Sequence, residues 1–210
     1  MKNIGNVLIL GDSYSTFEGF NPKGNNVWYQ KGGHDRTDVT EVTQTWWYQL
    51  IQETQSNLVL NESFSGATVC NTERENIPHT SFIYRLNNLI ERGFFKEKEI
   101  NTVFVFGGTN DSWIDSPVGE NKYENFTKED LDFVLPAFCY LLKTLKTLLP
   151  KAKIVSLINT ELKEEISKGF QKAIEKFEVT PVVFQEIGKN FRHPNILGMK
   201  QIKEEVLKVL

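Results

Sequence analysis

The 210-residue chain predicts an α/β fold with a doubly wound, parallel sheet. Two observations carry this. Short apolar runs rich in β-branched and aromatic residues recur along the chain without polar alternation, as strands buried on both faces do. Amphipathic stretches long enough for helices separate them, and right-handed crossovers through such helices give parallel strands with helices on either side.

Strands are expected near 6–11, 57–61, 101–107, 152–158 and 180–184, and helices near 45–55, 79–92, 128–148, 162–177 and 196–209. The first strand, Val7-Leu8-Ile9-Leu10, stops at Gly11-Asp12-Ser13. The second, Leu58-Val59-Leu60, runs into Asn61-Glu62-Ser63-Phe64-Ser65-Gly66. The third, Val103-Phe104-Val105-Phe106, ends at Gly107-Gly108-Thr109-Asn110-Asp111. The third helix opens on Thr127-Lys128-Glu129-Asp130, a variant of the capping box. It continues with Leu131, Val134, Leu135, Phe138, Leu141, Leu142 and Leu145 on one face, and Pro136 inside it should kink it or shift its start. The stretch 14–44 has no periodicity. Loops longer than roughly 12–15 residues are uncommon and are mostly functional or disordered, so this one is expected to fold over residue 13 and shape a pocket. There are no internal repeats, low-complexity tracts or linkers, and residues 1–210 read as one domain.

Composition bounds the partners. Hydrophobic content of 40% and charged content of 24% are those of a globular protein with a sizeable core. A net charge of −3 argues against nucleic acid or an anionic membrane as the main partner, and no apolar stretch approaches bilayer length. Oligomeric state is left open. The chain enters its first strand directly after Met1-Lys2-Asn3-Ile4-Gly5, with no room for a signal peptide. A cytoplasmic location is the default, periplasmic or secreted if a leader has been removed. Cys70 and Cys139 do not form a disulfide framework. Cys139 reads as a buried thiol on a helix, and Cys70, four residues past Gly66, as a possible neighbour of the site.

In open α/β sheets, ligands bind outside the carboxyl ends of the strands. Ser13 stands at such an end and is a candidate nucleophile, although Gly-Asp-Ser alone is also ordinary turn chemistry. Gly66 and Asn110 close two further strands and should gather at the same edge. His193, in His193-Pro194-Asn195, precedes the last helical pattern.

These four islands, in this order, resemble the SGNH/GDSL hydrolase family. Its signature is a serine in Gly-Asp-Ser, a glycine after the second strand, an asparagine in Gly-x-Asn-Asp and a late histidine followed by proline. The matches are Ser13, Gly66, Asn110 and His193, and the resemblance spans the whole chain. It implies a three-layer α/β/α, flavodoxin-like doubly wound sheet of five parallel strands, and a serine esterase without metal or cofactor. Ser13 would be the nucleophile and His193 the base, then the acid. The amides of Ser13 and Gly66 with the Asn110 side chain would form the oxyanion hole. Asp12 is expected to orient the strand–helix turn.

One departure from the family matters. The aspartate that it carries three residues before the histidine is here Asn190, which cannot stabilise imidazolium as a carboxylate does. In trypsin, the same exchange lowers turnover about ten-thousand-fold. The substitutes are a backbone carbonyl near 188–191, Glu186, or an acid from elsewhere; the reading adopted is a Ser13–His193 dyad oriented by a carbonyl.

Trp28 and Tyr29 in the long loop and Trp113 past Asn110 are taken as substrate-pocket residues. Trp46 and Trp47 are read as anchoring the first helix. His34 is expected in a solvated loop and His79 near a helix start, neither with metal-ligand spacing. The substrate expected is a small or carbohydrate-linked acyl ester, such as an acetyl ester. Lysophospholipase or thioesterase chemistry at the same site is the close rival. A non-catalytic binding protein on this scaffold is the alternative of a different class, supported only by the missing acid. A phosphate- or flavin-binding module lacks its glycine-rich loop and cation.

Overall fold

The computed structural model describes residues 3–72 and 79–210. Strand β1 (Asn6–Gly11) is followed by a 3₁₀ turn over Ser13–Ser15, the long loop, and helix α1 (Trp46–Thr54). Then come β2 (Asn57–Ser63), α2 (Phe82–Glu91), the one-turn α3 (Phe94–Glu97), β3 (Thr102–Phe106) and the short α4 (Thr109–Trp113). Helix α5 (Val134–Leu148), β4 (Lys153–Ile158), α6 (Glu164–Lys176) and β5 (Thr180–Val183) complete the alternation. A two-residue hairpin of β6 (Lys189–Asn190) and β7 (His193–Pro194) leads into α7 (Ile196–Leu207).

The main sheet has the order β2-β1-β3-β4-β5 and all its pairings are parallel. It is the flavodoxin-like arrangement, whose order reverses at β1 and so opens a crevice above the ends of β1 and β3. Side-chain alternation divides the core in two. Leu8, Leu10, Val103 and Val105 face a cluster covered by α2, α5 and α6. Val7, Ile9, Phe104 and Phe106 face one covered by α1 and α7 through Trp46, Leu50, Met199, Ile202 and Val206. Trp46 and Trp47 are fully buried here, as packing anchors.

Two expectations need adjusting. The predicted helix over 128–148 divides into a 3₁₀ turn at Glu129–Asp132 and α5 proper. The capping box belongs to the 3₁₀ turn: Thr127 N donates to Asp130 Oδ2 at 2.6 Å, and Asp130 N donates back to Thr127 Oγ1 at 3.4 Å. Pro136 is then the third residue of α5, inside the first turn, where its missing N–H removes no intrahelical bond. The helix foreseen from 79 starts at Phe82, because the Ser81 hydroxyl accepts from Tyr84 N at 3.0 Å and caps it.

The loop 14–44 is packed down. Tyr14, Phe17, Tyr29 and Val39 are buried in the α1/α7 cluster. The amides of Asn21 and Asn25 donate to the Ser63 carbonyl at 3.3 and 3.0 Å, laying the loop across the end of β2. Among the described residues, no helix is long and apolar enough to cross a membrane.

Candidate active site

The carboxyl ends of β1, β2 and β3 and the β6–β7 hairpin meet around a cleft of about 430 Å³. Ser13, Gly66, Asn110 and His193 all line it, with Asn26, Val27 and Trp28 from the long loop, Phe64, Ser65, Thr80, Trp113, Phe191 and Arg192.

Ser13 leaves β1 through a tight turn. Asp12 caps this turn, its Oδ1 accepting from Tyr14 N at 3.0 Å. Asp12 is fully buried, its Oδ2 has no hydrogen-bond partner among the described residues, and burial pushes its carboxyl up to about 7. The turn delivers Ser13 Oγ to within 3.0 Å of His193 Nε2. His193 Nδ1 lies 3.0 Å from the carbonyl oxygen of Phe191. A carbonyl can only accept, so Nδ1 carries the proton and Nε2 turns its lone pair to the serine hydroxyl. Desolvation lowers His193 to about 4, outweighing the Phe191 carbonyl and Glu161, which both raise it. The imidazole is therefore neutral at pH 7.

The hairpin that presents this carbonyl turns on Phe191 and Arg192, both in the left-handed region at φ 45° and 66°. Positive φ at both central residues is what a two-residue type I′ hairpin requires, and non-glycine residues hold it only when their surroundings insist. Here the Tyr14 hydroxyl donates to the Arg192 carbonyl at 2.6 Å. The Asn159 amide donates to Tyr14 Oη at 3.3 Å and to Thr109 Oγ1 at 3.0 Å. Lys189 Nζ closes the network on Asn159 Oδ1 at 3.2 Å and Glu161 Oε1 at 2.9 Å.

Asn110 sits in the first turn of α4, and its Nδ2 donates to the Ala67 carbonyl at 3.0 Å, which ties the third block to the second. Gly108 precedes it at φ 93°, and a Cβ there would come within 2.7 Å of the Phe170 ring. Gly66 also occupies the left-handed region, at φ 92°. Asp111 faces away from the cleft; both its oxygens accept from Val69 N, at 2.9 and 3.0 Å, and burial raises it to about 6.

Several anticipated residues fall elsewhere. Glu186 is exposed and borders a separate depression beside Gln185, Gln201 and Glu204, away from His193. Asn190 pairs with His193 across the hairpin, but its side chain accepts from Asn195 Nδ2 at 3.4 Å. Tyr29 is not a pocket residue: it is fully buried, its hydroxyl donating to the Pro194 carbonyl at 2.7 Å. Trp28 lines the cleft with its ring face against His193, at a centroid distance of 3.6 Å. His34 is not solvated loop: its Nε2 meets the Trp28 carbonyl at 3.0 Å and its ring stands edge-on to the indole. Cys70 is buried beside Thr72 and Asp111 rather than in the cleft, and burial pushes its thiol up to about 12.

Arg85 went unnoticed in the sequence. It is buried on α2 and donates to the carbonyls of Thr80 and Gly11 at 3.0 and 3.1 Å and to that of Glu62, clamping the ends of β1 and β2. An arginine among Phe82, Ile83, Leu86 and Leu89 on an apolar helix face was the available signal.

The family model for GDSL-like lipases and acylhydrolases matches residues 5–210. This chain belongs to that family. A Bacteroides ovatus protein named as a GDSL-like lipase shares 40% identity with this GDSL-like chain, covering 99% of it and 98% of the other, with a TM-score of 0.89. Its counterpart from Bacteroides uniformis is also 40% identical, covers 97% and 94%, and has a TM-score of 0.87. A family two carbohydrate esterase from Clostridium thermocellum, solved with cellohexaose, shares the fold at 12% identity, with coverage of 99% and 64% and a TM-score of 0.66. No curated protein matches the chain. Family membership makes the chain an ester-hydrolysing enzyme of the GDSL class.

Proposed function

We propose that the GDSL-like chain hydrolyses a small acyl ester, such as an acetyl group on a carbohydrate, through an acyl-enzyme on Ser13. The observation that carries this reading is the 3.0 Å contact between Ser13 Oγ and the unprotonated Nε2 of His193 inside the cleft. Nε2 takes the serine proton as Oγ attacks the ester carbonyl carbon. The resulting oxyanion is held by the amides of Ser13 and Gly66 and the Asn110 side chain. His193 returns the proton to the departing alkoxide, leaving acyl-Ser13. Water then gives a proton to Nε2, its oxygen attacks the acyl carbon, and Ser13 leaves with the proton from His193. Throughout, Nδ1–H stays on the Phe191 carbonyl, which preserves the productive tautomer without supplying a charge.

Cleft size and lining support the substrate class. Some 430 Å³ bordered by Asn26, Ser65, Thr80 and Arg192 as well as by aromatic rings suits a compact polar substrate better than a long acyl chain. With the Trp28 face taken by His193, the other aromatic rings on the cleft are Phe64, Trp113 and Phe191, and Phe191, 67% exposed, is the most open of them to a sugar ring. The carbohydrate esterase on the same fold supports the alcohol assignment. The test is hydrolysis of p-nitrophenyl esters of increasing chain length, with acetylated sugars and thioesters alongside. Acetate should be cleaved fastest; a kcat/KM that climbs with chain length would favour lysophospholipase chemistry instead.

A further inference from the structure

Trp28 lies flat on His193, with ring centroids 3.6 Å apart and planes 8° from parallel. No proton transfer between Ser13 and His193 needs an indole there. Among the described residues its ring N–H is buried without a hydrogen-bond partner, so hydrogen bonding does not place the side chain. The backbone nonetheless holds it firmly. Trp28 N donates to Thr16 Oγ1 at 2.9 Å, and the Thr16 hydroxyl donates to the Ser13 carbonyl at 3.0 Å. On the other side, the Tyr29 hydroxyl donates to the carbonyl of Pro194, the residue after His193. The ring is thus tied both to the nucleophile and to the histidine.

We propose that Trp28 is a positioning residue whose π face takes over, in part, the electrostatic task of the absent carboxylate by stabilising His193 as imidazolium. The inference rests on His193 acting as the base. A neutral imidazole gains only packing from the indole, whereas an imidazolium is attracted by the negative face of the ring, most strongly in a desolvated site. That attraction exists only once the Ser13 proton has moved, so it favours the transition state over the ground state. The charged neighbours of His193 pull in both directions: Glu161 favours the cation, while Lys189 and His34 disfavour it. Arg192 on the hairpin lies over the Trp113 ring at 5.6 Å. The Phe191 carbonyl fixes the tautomer. Tyr14 and Trp113 also border the imidazole, tilted and edge-on at centroid distances of 5.6 and 5.9 Å, and Trp28, stacked at 3.6 Å, is the nearest of these three rings to the new charge.

Deleting the ring would also admit water and raise the histidine for a different reason. The test is therefore site-specific replacement of Trp28 by tryptophans carrying progressively more ring fluorines, which weakens the face while keeping shape and burial. With p-nitrophenyl acetate, kcat should fall stepwise, roughly tenfold over the series, with KM almost constant and the acid limb of the pH profile moving downward. A flat kcat and an unmoved acid limb would overturn the inference. Stoichiometric fluorophosphonate labelling of each variant shows that the site is intact. Failure to label Ser13 in the unsubstituted protein would instead refute the underlying assignment of Ser13 and His193.

Discussion

Phe191 and His193 are joined by a hydrogen bond that stays within one two-residue turn: the Nδ1–H of His193 donates to the Phe191 carbonyl at 3.0 Å. A carbonyl locks the imidazole tautomer as an aspartate does but brings no counter-charge. The Phe191 carbonyl therefore supplies the geometry of a triad acid but not its charge. This relationship separates what mutation should and should not damage.

Carboxylate and amide deletions near the histidine should be mild. Asn190→Ala gives up only a 3.4 Å bond from Asn195, and Glu186→Gln alters an exposed side chain. Both should keep kcat/KM within about tenfold, far from the loss that follows removal of a true triad member, whereas His193→Ala should lose nearly all activity. Steady-state kinetics with circular dichroism as a fold check decides this. A collapse in Glu186→Gln would reveal a displaced triad acid.

The pH profile should extend unusually far into acid. Burial holds His193 at about 4 against an ordinary 6.5. The neutral ring is the base, so the acid limb of kcat/KM, which reports the free enzyme, should fall well below the ordinary histidine range. The same shift acts on folding. Between about 4 and 6.5 the unfolded chain binds the extra proton, so this contribution to stability is complete above 6.5 and drains away as pH falls toward 4. An acid limb at 6.5 would show that His193 is solvated in the working enzyme.

Asn110→Ala should lower kcat by about a hundred- to a thousand-fold while KM moves only a few-fold, because an oxyanion donor acts mainly in the transition state. A change confined to KM would make Asn110 a substrate-binding residue.

The sequence carried the fold and its site unevenly, for physical reasons. Buried strands on a parallel sheet are short uniform apolar runs, and Gly11 and Gly107 mark where two of them stop, so that edge was legible; β2 runs to Ser63, two residues past the expected end, because its last residues Asn61-Glu62-Ser63 are polar. Which group holds His193 was only partly so: a carbonyl acceptor was anticipated near 188–191, but every residue has one. Choosing Phe191 depended on positive φ at two non-glycine residues, 191 and 192. Tyr29 and Trp28 are neighbours of similar character in an aperiodic loop, and no pattern told which would be buried and which would meet the histidine. Arg85 was hidden because a single cation on an apolar helix face reads as noise until its carbonyl partners, far away in sequence, are known.

Asp12→Asn should stabilise the protein at alkaline pH. Buried Asp12 titrates near 7 instead of 3.8, so the folded chain holds its proton through that interval and stability drains away as pH rises through it. An asparagine keeps the acceptor for Tyr14 N without a charge to bury. Thermal unfolding at pH 5 and pH 8 should show the wild type losing more stability than Asp12→Asn over that range. Equal losses would place the titration elsewhere.

The central claim, that Ser13 is the residue acylated, is tested most directly by its covalent capture. A fluorophosphonate should label the protein at one site per chain, mass mapping should place the adduct on Ser13, and Ser13→Ala should abolish both labelling and ester hydrolysis. Hydrolysis undiminished in Ser13→Ala, or an adduct mapped to Cys70, would contradict it.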